Sequence, residues 1–156
     1  MKQGWIGVVA GLAVGMTAVF MTQRGPDEAR HAPTLAEGSA ALTVCDPGGS
    51  GLAVAYDHVA APLHTYLTTE PSKALDAARG QVANLLDGRI KVCVHALEVQ
   101  HALGSAFSDP RLPKVAPFLD RLHAARNRLT ELVTTLQSPQ ASDAPQKLDA
   151  LDAALR

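Results

Sequence analysis

The stretch KVAPFLDRLHAARNRLTELVTTLQ, Lys114 to Gln137, decides the fold class. Val115, Phe118, Leu122, Ala125, Leu129, Leu132 and Leu136 alternate steps of three and four residues, the spacing of one face of an α-helix. The pattern is a heptad seam, and Leu119 and Val133 widen it to the breadth a bundle helix needs. Asp120, Arg121, Arg126, Arg128 and Glu131 fall on the opposite, wet face. The rest of the chain agrees: it is rich in Ala and Leu and holds only three Phe, two Tyr and one Trp, a composition that favours helix over sheet.

Upstream, SDPRLP breaks the chain, and a longer helix is expected from about Ser72 to Gly104. Its stripe is Leu75, Ala78, Val82, Leu86, Ile90, Cys93 and Leu97. Asp87-Gly88 inside it is a turn signal, and RIKVCV after it alternates with period two. The alternative is therefore a small two-stranded β element, pairing this run with ALTVC around Cys45 and Cys93. Before TTEPS, a helix from about Gly51 to Thr68 carries Leu52, Tyr56, Val59, Leu63 and Tyr66 on one stripe, and Pro62 is expected to kink or split it. CDPGGSG is a turn with Ser50 as candidate N-cap. Downstream, a short amphipathic helix starts near Asp143, with Gln146 in a capping-box arrangement, Pro145 in its first turn, and Leu148, Leu151 and Leu155 on one face. It is too short to stand alone.

Folding the chain at residue 69 and counting outward sets Cys45 opposite Cys93 at the far end of an antiparallel hairpin. A disulfide there is expected if the body meets an oxidising compartment. The front of the chain points to one. Gly4 to Thr22 runs without a charge, enough for ~28 Å of helix against a ~30 Å hydrocarbon core. Trp5 sits at one interface, and Phe20 and Met21 occupy the place where a cleavable signal would carry small residues. The expectation is a retained signal-anchor, with the N-terminus cytoplasmic and the body in the periplasm of a bacterium whose inner membrane it spans; secretion after cleavage is the alternative. Gly7, Gly11 and Gly15 form two overlapping G-x-x-x-G units, a face on which another transmembrane helix, or a copy of this one, can pack closely.

These readings divide the chain into an anchor at 1–23, a flexible linker at 24–44, a helical body at 45–137, and a linker with a C-terminal helix at 138–156. The fold class is all-α: one transmembrane helix followed by a disulfide-stapled three- or four-helix bundle. A formal charge of −1 argues against a nucleic-acid partner. No lysine follows the glycines of CDPGGSG as a P-loop requires, and Leu52 stands where a nucleophile elbow needs glycine. The pattern CxxC does not occur. HALEVQH, however, places His95, Glu98 and His101 at steps of three, and folding at residue 109 sets His123 opposite His95. Such a set could take Zn, Ni, Co or Cu and make the protein a tethered metal or stress sensor. His58 and His64 sit at the boundary of the first stripe. The leading expectation is a non-enzymatic accessory or structural subunit of a membrane complex, in contact with lipid and without a cofactor.

Overall fold

Helix α1, Leu35–Cys45, begins on Thr34, whose hydroxyl accepts the Glu37 N–H at 3.2 Å while the Glu37 carboxylate accepts the Thr34 N–H at 2.6 Å. This reciprocal capping box satisfies two of the donors a helix start leaves open. It lies in a computed structural model that describes residues 32–139 and 141–156. The apolar run 4–22, with Gly7, Gly11 and Gly15, lies outside the described residues, and among those residues no helix is long and apolar enough to cross a membrane. The expected linker 24–44 is corrected from Leu35 onward, because the capping box starts a helix there in spite of Pro33 and Gly38.

Asp46 ends α1. It adopts the left-handed conformation at φ 48°, and its N–H reaches the Leu42 carbonyl at 3.0 Å. Its carboxylate then accepts the Gly51 N–H at 2.7 Å, so one residue closes α1 with its backbone and satisfies a donor in the first turn of α2, Ser50–Tyr66, with its side chain. Asp46 takes the capping role expected of Ser50, which lies inside the helix. Gly49, at φ 79°, makes the turn between them, and a Cβ there would also meet the Arg121 guanidinium at 2.7 Å. Arg121 is thus drawn off the wet face of its helix and over the Phe118 ring, 5.4 Å from the centroid. Pro62 does not split α2: Ala60 and Leu63 are buried on either side of it and hold the turn where its N–H is missing.

Helix α3, Pro71–Ala77, passes through a π-turn at Ala78–Val82 into α4, Ala83–Leu103. Ala74, Ala78, Val82 and Leu86 are all buried at steps of four. In a plain α-helix that spacing drifts about 40° per step, and the wider π-turn brings the stripe back into line. The expected stripe differs at three positions: Leu75, Ile90 and Leu97 are only partly buried, while Ala74, Ala96 and Val99 are buried. Both cysteines lie on helices, and there is no strand among the described residues, which removes the two-stranded alternative. Asp87-Gly88 continues the helix because the stripe through Leu86 and Cys93 stays buried.

Helix α5, Leu112–Gln137, buries all seven expected seam residues and Leu119. Helix α6, Ala144–Leu155, follows a 3-10 turn at Ala141–Asp143. Its expected capping box does not form: Asp143 already has helical backbone angles, and its carboxylate accepts from the Ser142 hydroxyl at 3.2 Å instead. The packing order is α1 on α4, α4 on α5, α5 on α6 and α6 on α2, with α2 also against α3 and the π-turn. Residues 33–156 form one compact unit, so α6 belongs to the body rather than to a separate tail. Among the described residues no polar or charged residue is buried, and the core is mostly aliphatic, with Phe107, Phe118 and Tyr56 as its aromatic members and Tyr56 as its largest fully buried side chain.

Gly38 packs tightly against the side chains that support α1. A Cβ there would stand 2.6 Å from Phe107 Cζ and 2.9 Å from Val99 Cγ1. Gly88, on the exposed side of α4, has nothing within 4 Å. Alanine raises helix stability by ~1 kcal/mol over glycine, while crowding a packed site costs ~1–3 kcal/mol. Gly38→Ala is therefore expected to lose about 1 kcal/mol net and Gly88→Ala to gain about 1 kcal/mol, both read from urea unfolding midpoints. A gain at both positions would mean that α1 is not seated this tightly.

Candidate functional site

Cys45, at the last turn of α1, and Cys93, midway along α4, form the expected disulfide, with their Cα atoms 4.9 Å apart. Both residues are fully buried. Two arginines finish the same end of α1. Arg89 Nη1 donates to the Val44 carbonyl, and Arg111 Nη1 donates to the Thr43 hydroxyl at 3.1 Å. A cation at the carbonyl end of a helix is favourable for its dipole. Arg111 is held in turn by Asp109, through Nε to Oδ1 at 2.9 Å and Nη2 to Oδ2 at 2.8 Å. Those hydrogen bonds lower the Asp109 carboxyl from its ordinary 3.8 to about 2. The pair therefore contributes fully above pH 3.8 and is lost only as pH falls through about 2.

The alternative metal set is not brought together among the described residues. His95 Nδ1 and Glu98 Oε2 lie 3.7 Å apart, with side chains 53% and 69% exposed. His101 borders a shallow recess of about 310 Å³ with Leu97, Gln100 and Gly104. His123 lies on the exposed side of α5 next to buried Leu122. Among the described residues no three His, Cys, Asp or Glu side chains come together as a metal site. The register explains why. Arg126 pairs with Asp87 at 2.7 Å across α4 and α5. At that register His95 lies level with Phe118, and His123 with Ile90.

One polar cluster was not anticipated. Tyr56, fully buried on α2, donates its hydroxyl to Asp152 Oδ1 on α6 at 2.6 Å. His64 Nε2, two turns further along α2, lies 3.4 Å from the other carboxylate oxygen. Asp57 extends the line, pairing with Arg156 at 3.0 Å. A tyrosine on an apolar stripe needs a partner for its hydroxyl when buried, and that requirement was the available signal for a polar residue on α6. Burial first, then the Asp152 carboxylate, pushes the Tyr56 phenol well above its ordinary 10.0. The bond from the Tyr56 hydroxyl to Asp152 latches α2 to α6.

Tyr56→Phe is expected to cost about 1.5–3 kcal/mol, the range for a hydrogen bond to a charged group. A second effect follows from linkage. The phenol ionises in the unfolded chain near 10.0 but resists ionisation in the fold, so its contribution is present below pH 10.0 and is lost as pH rises above it. Urea midpoints measured from pH 8 to 11 should fall less steeply for Tyr56→Phe than for the wild type; parallel curves would remove the latch.

No family model, no curated protein and no solved structure matches the chain.

Proposed function

We propose that this protein is a non-enzymatic accessory or structural subunit of a membrane complex, anchored by residues 4–22, with its helical body exported. The observation that carries this reading is the buried Cys45–Cys93 disulfide downstream of an uncharged apolar run. Disulfides of this structural kind form and persist in oxidising compartments, and the run is long enough to deliver the body there while remaining in the bilayer. In this reading Gly7, Gly11 and Gly15 present a flat face to a neighbouring transmembrane helix. The alternative function is a tethered metal or stress sensor that uses His95, Glu98, His101 and His123.

The test is fractionation of the expressed full chain, joined to mass spectrometry. The anchored reading expects a carbonate-resistant membrane protein of intact mass, a Cys45–Cys93 linked peptide, and a body accessible to protease from the periplasmic side. A mature chain starting after residue 22 would mean secretion, and two alkylatable thiols would overturn export. Gly11→Ile addresses the packing face: assembly unchanged in a gentle-detergent pull-down leaves those glycines without a role.

A further inference from the structure

We propose that α1 is a redox-locked strap: reduction of the Cys45–Cys93 disulfide frees α1 from α4 while α2 to α6 remain folded.

Three features of α1 carry this. It packs along α4, and its buried positions are Gly38, Ala41, Leu42 and Cys45, so Leu42 is the one large aliphatic side chain that it contributes to the core. Its other side chains leave much apolar surface outside, with Leu35 52% and Val44 55% exposed. Arg89 and Arg111 tie it at the end that the disulfide already holds, and Gly38 packs against Phe107 and Val99 nearer its start, a contact that brings no large side chain from α1 itself. The remaining core is different in kind. Leu63, Leu86, Leu122, Leu129, Leu151 and Leu155 are fully buried and come from α2, α4, α5 and α6. Segments with few buried apolar contacts open at low free energy while the core stays closed. With the bond intact, α1 cannot leave.

The step is thiol–disulfide exchange with a dithiol reductant. One thiolate of the reductant attacks a sulfur of the pair, the other cysteine departs as thiolate, and the second reductant thiol resolves the mixed disulfide. Two electrons and two protons pass to Cys45 and Cys93, and the reductant leaves as a disulfide. Both cysteines are fully buried, so attack follows opening of the last turn of α1, beside the left-handed Asp46.

The experiment is amide hydrogen exchange on the full chain, oxidised and after reduction by dithiothreitol with alkylation. Residues 35–45 are expected to lose about 100-fold or more in protection, while 112–136 and 144–155 change by less than about tenfold. The double variant Cys45→Ser, Cys93→Ser should give the same pattern without reductant. Protection retained at 35–45 after reduction overturns the strap, as does loss of protection in all helices together. Neither outcome depends on the membrane, so a chain that fractionates as soluble but shows the local pattern loses the anchor and keeps the strap.

Discussion

Leu122→Ala is expected to destabilise the fold by about 2–5 kcal/mol, the range for truncating a fully buried leucine that its surroundings cannot collapse upon. Leu122 has no exposed surface and sits mid-seam on α5, between Phe118 and Ala125. This helix packs on both α4 and α6, so a cavity at its centre is bounded by rigid walls on two sides. The change should move a urea midpoint by roughly 1–3 M at the slopes typical of small domains. Arg128→Ala, one helical step off the seam, is the control. Its side chain is 51% exposed and its contact with Glu131 is a loose 3.6 Å pair, so it should stay within about 0.5 kcal/mol of wild type. Similar losses at the two positions would mean that the seam does not face the core.

That contrast also marks where the sequence is legible. On α5 the apolar period, the helix length and the charged face point the same way, and all seven seam positions are buried. The cysteine register is readable for a similar reason, since counting from the Thr68–Glu70 turn measures chain length and needs no side-chain detail. The helix that carries Cys45 was less visible. Pro33 and Gly38 are local helix breakers and read as a linker, whereas the Thr34–Glu37 box starts α1 and the Phe107 ring requires glycine at 38. The histidine set failed on the other hairpin, where a shift of a few residues in the α4–α5 register separates His95 from His123. A disulfide tolerates little error in register and so reports it, whereas exposed histidines exert no such constraint. The Tyr56–Asp152 bond joins residues 96 apart in sequence. No local period encodes such a pair.

Leu151→Asp is the change expected to detach α6. At twelve residues that helix is marginal in water by itself, and its sequence leaves open whether it docks on its own body, a second copy or a partner. The structure places Leu148, Leu151 and Leu155 in the core of the same chain, with Leu151 and Leu155 fully buried. Burial of three leucines favours docking by about 5–9 kcal/mol before the entropy of ordering the helix is subtracted. An unpaired carboxylate at the Leu151 position costs at least several kcal/mol, comparable to that whole sum, so the helix should peel away rather than bury the charge. Two readouts follow. Amides of 144–155 should lose protection while 112–136 keep much of theirs. The Tyr56 phenol, no longer buried beneath Asp152, should return toward its ordinary 10.0 in an absorbance titration. Asp149→Ala, on the exposed face of α6, should change neither readout. A protected α6 with an unshifted phenol in Leu151→Asp would show that the helix is held by something other than its leucine face, and the Tyr56 latch would then have to carry the docking.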